Sequence, residues 1–552
     1  MADAPAARWR DVSVRYPYAD APAVGPASLT VKRGERVLLI GASGSGKSTL
    51  LATLTGLVPH TMPADVTGKV ELRGEDVATR TPAQWSASVG QMFQNPEQTL
   101  CGMTVGDEVA FALENQALPA EEIETRITLA LAQVGLPEDW RGRRTMELSG
   151  GEKQLVALAA LLAQHAPLLV VDEPTAHLAP AAATHLRRLL LNRPGDASVL
   201  IVDHRVDDLA GLVDRVVLID ADGSAVDGGA PRAFFRTHYD KLAALGIAIP
   251  QPAAFDAALL AQGIELAEAP LTMDEAVVTL KALPAGKQAA AREIASAFAA
   301  AHQAKRSVSI ATEIVAALDA ASCAPLFGPT VLRDVSLTIG RGETVAIVGR
   351  NGAGKSTLAA SLAGLLRLKA GRRIGPMGAI SFQNPENQFL AGSVREEVRD
   401  AWLAAGADAA SAEAKAEAML AQWGLSELAA AHPFELSQGQ KRRLSLAIIT
   451  AGGRWPLLVL DEPTAGLDGA GRAALEAEIR SLAGAGHAVA LVTHDLDFAL
   501  ASCARSVVVD DGGIAADGPS DTILRETALL ERSGLAVPAL LPLLHFLEEG
   551  RC

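Results

Sequence analysis

The chain has 552 residues and a formal net charge of −15, with 49 Lys and Arg against 64 Asp and Glu. That balance argues against a broad nucleic-acid-binding surface, and the length allows roughly three to four domains. No apolar run approaches the ~18 residues of a membrane span, because residues 155–171 and 535–547 are broken by Gln, His or Pro. The start, Met1-Ala2-Asp3-Ala4-Pro5, has no basic, apolar signal core, so secretion is not expected. Cys101, Cys323, Cys503 and Cys552 lie far apart with no Cys-x-x-Cys pair, which fits a reducing compartment and argues against structural zinc or an iron–sulfur cluster.

In chain order, residues 8–14 and 27–31 read as short β segments. The apolar run 37–40 then enters Gly41-Ala42-Ser43-Gly44-Ser45-Gly46-Lys47-Ser48-Thr49 and a helix to about Gly56. Residues 68–77 alternate around glycines and predict a hairpin, followed by a strand at 88–93 that runs into Gln94-Asn95-Pro96-Glu97. Helical periodicity covers 105–116 and 121–134. Leu148-Ser149-Gly150-Gly151-Glu152 opens a further helix, and the buried strand 168–171 ends in Asp172-Glu173-Pro174-Thr175. A helix near 181–191, a strand at 199–202, His204 and a strand at 216–219 complete the first half.

The same order returns. Gln94 maps to Gln383 (offset 289), Ser149 to Ser437 (288), Asp172 to Asp461 (289) and His204 to His494 (290). A repeat at nearly constant spacing means two copies of one domain. The expected division is residues 1–240 and 306–525 for the two copies, 241–305 for an extension and helical linker, and 526–552 for a shorter extension. Gly534-Leu535-Ala536-Val537-Pro538 echoes Gly246-Ile247-Ala248-Ile249-Pro250. Lys47 to Gln94 spans 47 residues but Lys355 to Gln383 only 28, so the second copy is expected to lack the hairpin at 68–77.

A glycine-rich loop between strand and helix is the setting of a phosphate-binding loop. Its backbone N–H groups face phosphate oxygens and the helix start adds positive potential. Gly41, Ser43, Gly44, Gly46 and Thr49 would line one loop, and Gly349, Asn351, Gly352, Gly354 and Thr357 the other. Lys47 and Lys355 would reach the β- and γ-phosphates, while Ser48 and Ser356 would ligate Mg2+. Asp172 and Asp461 are candidates for Mg2+; Glu173 and Glu462 would polarise the attacking water. Neighbouring residues of a strand point to opposite faces, which would give each carboxylate its own task. Ser149 to Glu152 and Ser437 to Gln440 have the form of helix capping boxes, and such helix starts also suit a docking phosphate.

Leu148-Ser149-Gly150-Gly151-Glu152 and Leu436-Ser437-Gln438-Gly439-Gln440, each between a Gln loop and Asp-Glu-Pro-Thr, resemble the signature of ATP-binding-cassette (ABC) ATPases. The resemblance covers nearly all the chain except the Ala-rich middle. It implies an α/β fold of two tandem P-loop NTPase domains, each with a mostly parallel sheet core, an antiparallel β subdomain and a helical subdomain. It implies ATP and Mg2+ as cofactors, and head-to-tail pairing of the cassettes within one chain. Lys47, Asp172 and Glu173 would work opposite Ser437, Gly439 and Gln440, and Lys355, Asp461 and Glu462 opposite Ser149, Gly150 and Gly151. By the same resemblance His204 and His494 contact the γ-phosphate, Gln94 and Gln383 sense Mg2+ and touch a membrane partner, and Tyr16 stacks on adenine. The second half has no aromatic matching Tyr16, since Phe327 is misplaced, and Ala179 stands where the second half has Asp468. Both sites are expected to hydrolyse, at rates that differ.

The stretches from Gln94 to Asn115 and from Gln383 to Val398 look like those of energy-coupling-factor transporter ATPases, as do the Gly-Ile-Ala-Ile-Pro and Pro270-Leu271-Thr272 segments. That likeness implies uptake of a vitamin, vitamin precursor, or cobalt or nickel ion. The partners would be an integral membrane coupling subunit and a substrate-binding membrane subunit, with this chain peripheral on the cytoplasmic face and no nucleic acid bound. The alternatives are a sugar-importer tandem ATPase and a soluble tandem cassette acting on ribosomes or DNA.

Overall fold

Runs such as Val37–Ile40 and Leu168–Val171 alternate between two apolar faces, and both faces are covered. Val37, Leu39, Leu168 and Val170 join one core cluster, while Leu38, Ile40, Leu169 and Val171 join another. Strands buried on both sides read as continuous hydrophobic runs because no face is left for water. A computed structural model describes residues 4–42, 44–93, 100–175, 178, 180–191, 197–203, 205–304, 313–326 and 328–549. They form two compact units, divided between Pro284 and Ala285.

In the first unit, β1 (Ala7–Arg15), β2 (Val24–Val31), β4 (Asp65–Leu72) and β5 (Glu75–Asp76) make an antiparallel sheet in the order β2-β1-β4-β5. The second sheet contains β3 (Arg36–Gly41), β6 (Val89–Met92), β7 (Leu168–Asp172), β8 (Ser198–Val202), β9 (Arg215–Ile219) and β10 (Ala225–Gly229). Its order is β10-β9-β3-β8-β7-β6, parallel except for β10. Between the sheets runs α1 (Lys47–Leu54), followed by the short α2 (Leu57–His60) and α3 (Pro82–Trp85). The opposite face carries α4 (Val105–Asn115), α5 (Ala120–Gln133), α6 (Gly150–Ala163) and α7 (Pro180–Leu191). Beyond β10 come α8 (Pro231–Ala244), α9 (Gln251–Leu260) and α10 (Met273–Lys281); Phe234, Leu242, Ile247 and Ala253 close the same core.

The second unit opens with α11 (Ala285–Ala301) and repeats the plan. Strands β11 (Ile314–Cys323), β12 (Leu332–Gly340) and β14 (Ala370–Ile374) form the antiparallel sheet. Strands β13 (Thr344–Gly349), β15 (Ala379–Ser381), β16 (Leu457–Asp461), β17 (Ala488–Val492), β18 (Arg505–Asp510) and β19 (Gly513–Pro519) order as β15-β16-β17-β13-β18-β19. That is the first sheet's topology again. The helices are α12 (Lys355–Leu362), α13 (Val394–Ala404), α14 (Ala409–Gln422), α15 (Gln438–Thr450), α16 (Gly469–Gly484), α17 (Leu496–Ser502), α18 (Ser520–Ile523), α19 (Thr527–Arg532) and α20 (Leu541–Glu548).

One expectation is corrected here. The hairpin at 68–77 is not wholly missing from the second unit, because β14 pairs with β11, Ala317 opposite Ile374. Only the return strand β5 lacks a counterpart among the described residues. Strand β14 escaped the sequence reading because it is a solvated edge, Ala-Gly-Arg-Arg-Ile, with no apolar alternation. Its Arg372 Nε donates to Asp319 Oδ2 at 2.8 Å. Helix α11 buries Ala291, Ala295 and Ala299, and packs on α20 as α10 packs on α9. Arg292 Nη2 donates to the Phe546 carbonyl at 2.6 Å, with the guanidinium 4.7 Å from the Phe546 ring centre.

Candidate active site

In each unit the parallel strands deliver their carboxyl ends to one edge, and the loops there carry the motif residues. Strand β3 ends at Gly41 and α1 begins at Lys47, with Gly46 as its N-cap at φ 87°. Gly44 has φ 81°, a left-handed conformation that side chains resist. A Cβ on Gly46 would lie 2.0 Å from the Ala23 carbonyl oxygen. Gly46→Ala therefore adds a steric clash to backbone strain and is expected to cost about 3 kcal/mol or more; thermal melts and nucleotide titration would read it. The second loop repeats the turn, with Gly352 and Gly354 at φ 81° and 96°.

Both lysines are buried and fold onto their own loops. Lys47 Nζ donates to the carbonyls of Gly41 and Ala42, each at 2.8 Å. Lys355 Nζ donates to those of Gly349 at 2.9 Å and Arg350 at 3.0 Å. Burial holds the Lys355 ammonium below its usual pKa, against the pull of Glu462 and Asp461. Ser48 Oγ donates to Asp172 Oδ2 at 2.5 Å. Burial raises the Asp461 pKa, while its hydrogen bond from Ser356 works the other way.

The adjacent carboxylates differ for a reason other than strand alternation. The strand stops at Asp, and the next residue enters the left-handed region, with Glu173 at φ 48° and Glu462 at φ 44°. Each glutamate is pinned through its backbone, Glu173 N–H to Val202 O and Glu462 N–H to Val492 O, both at 2.8 Å. A strained non-glycine backbone in both copies is typical of functional turns and costs about 1–3 kcal/mol. Glu462 Oε2 lies 2.9 Å from His494 Nδ1 and accepts from Thr493 Oγ1 at 3.4 Å. The structure thus joins Lys355, Ser356, Asp461, Glu462 and His494 at one edge of the second sheet. In the first unit it joins Lys47, Ser48, Asp172 and Glu173; Ser43, Gln94, Ala179 and His204, and Phe327 of the second unit, lie outside the described residues.

Tyr16 is half-buried, with its hydroxyl 3.2 Å from Thr49 Oγ1 on α1. Gln383 is exposed, and its carbonyl accepts from Arg442. The two signature serines are N-caps of complete capping boxes. Ser149 N–H donates to Glu152 Oε2 at 2.7 Å and Ser437 N–H to Gln440 Oε1 at 2.8 Å. Burial would raise the Glu152 pKa, but the bonds from Ser149 and the charge of Arg143 leave it lowered.

Residues 24–176 and 332–465 each match the ABC transporter family model. The chain is 33% identical, over 98% of its length and 96% of the relative's, to "Putative HMP/thiamine import ATP-binding protein YkoD" of Bacillus subtilis (strain 168). It is 34% identical to a "Putative ABC transporter ATP-binding protein" of Methanosarcina acetivorans, over 97% and 89% of the two lengths. To "Putative ABC transporter ATP-binding protein SCO2324" of Streptomyces coelicolor it is 36% identical, over 94% of each. The chain belongs to the ABC transporter family. It is a fused ABC ATPase with two ATP-binding cassettes, and its hydrolysis of ATP is coupled to transport. No described helix is long and apolar enough to cross a membrane.

The sequence reading of this ABC ATPase missed several residues that shape its cassettes. In the first cassette, Gln154 Nε2 on the signature helix donates to the carbonyls of Glu173 at 3.3 Å and Pro174 at 2.8 Å. The second cassette has Arg442 there. It reaches Ser381 Oγ (3.1 Å) and the carbonyls of Phe382 (2.7 Å), Gln383 (2.9 Å) and Glu462 (3.5 Å). Burial lowers the Arg442 pKa to about 10, against the pull of Asp461 and Glu462. Arg442 shares a helical face with the buried Ser445, Leu446 and Ile449, and that phase was the available signal. A second hidden arginine, Arg187, donates to Thr175 Oγ1 at 2.8 Å and Asp208 Oδ2 at 2.7 Å, and stands 3.9 Å from Asp203. Arg472 does related work in the second cassette, from a different position on its helix, meeting Asp495 Oδ2 at 2.6 Å.

Proposed function

We propose that this ATPase energises an importer of the energy-coupling-factor type, carrying a vitamin, a vitamin precursor or a transition-metal ion. The observation that carries this reading is the similarity, over 98% of the chain, to a relative named for HMP/thiamine import. The Gln-loop stretches quoted above support it. So do exposed apolar side chains on both helical subdomains: Met103, Phe111 and Met146 in one, Leu390 and Phe434 in the other. Met146 and Phe434 occupy equivalent positions just before the two signatures, where a membrane subunit would meet each cassette.

In this reading each ATP lies between the phosphate loop of one cassette and the signature of the other. The loop N–H groups and Lys47 or Lys355 bind the phosphates. Glu173 or Glu462 takes the proton of the attacking water, and His204 or His494 contacts the γ-phosphate. The Ser48 hydroxyl and Asp172 carboxylate, 2.5 Å apart, offer two hard oxygen ligands. That donor set suits Mg2+ beside phosphate oxygens, with Ser356 and Asp461 in the other cassette; by the family resemblance Gln94 and Gln383 would sense the same ion. Mg2+ supplies neutralisation of phosphate charge. The signature helix start adds binding only while the γ-phosphate is present, so ATP closes the pair and hydrolysis opens it. The chain would thus sit peripherally on the cytoplasmic membrane face, held by a coupling subunit and a substrate-binding subunit.

Affinity purification of the tagged chain from detergent-solubilised membranes tests this. Recovery with a multi-span membrane partner is expected; sedimentation with ribosomes and no membrane partner would sink the importer reading.

A further inference from the structure

The extension of each cassette ends a tight turn in the same way. Gly246 and Gly534 sit at φ 66° and 64°, and the next residues, Ile247 and Leu535, are buried with 6% exposure each. Three positions later comes Pro250 or Pro538, and the N–H just past the proline is donated to an aspartate. Gln251 N–H meets Asp207 Oδ1 at 2.7 Å, and Ala539 N–H meets Asp497 Oδ1 at 2.9 Å. Asp207 and Asp497 each stand three positions after the histidine of their cassette, His204 and His494.

In the second cassette the histidine and the helix that follows it are both among the described residues. His494 contacts Glu462 and is followed at once by α17, a helix of seven residues. Its N-cap, Asp495, accepts from Phe498 N–H at 3.0 Å and is paired with Arg472. Asp497, in the first turn, is held by Ala539. Near its other end, the Leu500 carbonyl accepts from Ala304 N–H at 2.8 Å, just past α11. An isolated helix of two turns is unstable on its own in water, so its place is set by burial of Leu496, Phe498, Ala499 and Leu500 together with these outside contacts. Two of them, from Ala304 and Ala539, come from the segments that flank the second cassette.

We propose that the extensions act on hydrolysis: they brace the segment that carries the histidine, with Asp207 and Asp497 as positioning residues. The two copies reach the same bond with different side chains, Gln251 and Ala539, so the backbone N–H and the aspartate are the shared parts. The inference rests on the assignment of His204 and His494 to the γ-phosphate, and its test separates the two.

Paired substitutions in the full chain keep one cassette from masking the other. Asp207→Ala with Asp497→Ala removes both acceptors. Gln251→Pro with Ala539→Pro removes both donors, Gln251 being the first residue of α9, where proline is tolerated. Each pair is expected to lower kcat for ATP at least five-fold, per folded molecule, with KM within two-fold of the parent. Asp207→Asn with Asp497→Asn keeps an acceptor and is expected to recover at least half of kcat. A purely structural bond would instead lower Tm and leave kcat of the folded fraction unchanged, and kcat within two-fold of the parent in both the Ala and Pro pairs overturns the brace. If His204→Ala with His494→Ala also leaves kcat unchanged, the histidine assignment fails and the brace with it.

Discussion

The Glu173→Gln/Glu462→Gln double variant is expected to lower kcat for ATP by about 10²–10⁴-fold while still binding nucleotide. That range is what a positioned general base supplies. Gln matches Glu in shape and keeps the backbone anchors to Val202 and Val492, so the loss reports proton acceptance and not collapse of the turn. Glu462 is also the residue that His494 and Thr493 approach, at 2.9 and 3.4 Å. Each single variant is expected to fall below the parent because both cassettes keep the loop lysine, the strand-end Asp-Glu pair and the histidine. Steady-state turnover checks this directly, and full activity in either single variant would refute two working sites.

Arg442→Ala is expected to destabilise the second unit by about 3 kcal/mol. Arg442 is 4% exposed, and its guanidinium bonds the carbonyls of Phe382, Gln383 and Glu462. Truncation leaves buried acceptors without donors, each costing about 1–3 kcal/mol. Amide hydrogen exchange of β16 would show the loss as roughly a hundred-fold drop in protection. Gln154→Ala in the first unit removes a neutral donor to two carbonyls and is expected to cost about half as much. Equal losses in the two units would mean that the charge at Arg442 contributes nothing.

Much of this molecule was readable in advance because its core strands are buried on both faces and its motif loops are spelled in glycine. The doubling was readable from offsets alone. What escaped is instructive in physical terms. The left-handed turn at Glu173 and Glu462 is unusual for glutamate, so propensity points away from it. Arg442 and Arg187 are charged residues placed where helix phase asks for apolar ones, and their partners are backbone carbonyls and side chains distant in sequence. Strand β14 is polar because it lies at a sheet edge, and α11 is Ala-rich with a narrow apolar stripe that reads equally as linker. Local pattern identifies an element; only packing identifies its owner.

The ownership of α11 bears on how such a chain is to be cut. The helix precedes the second cassette, yet its Ala291, Ala295 and Ala299 face is spent within that unit, against the last helix of the chain. Two separately expressed halves would each keep a closed core if the second reading frame began upstream of Ala285. A frame opened after residue 304 would yield a half with a bare apolar strip along α20, and the orphaned helix would travel with the wrong partner.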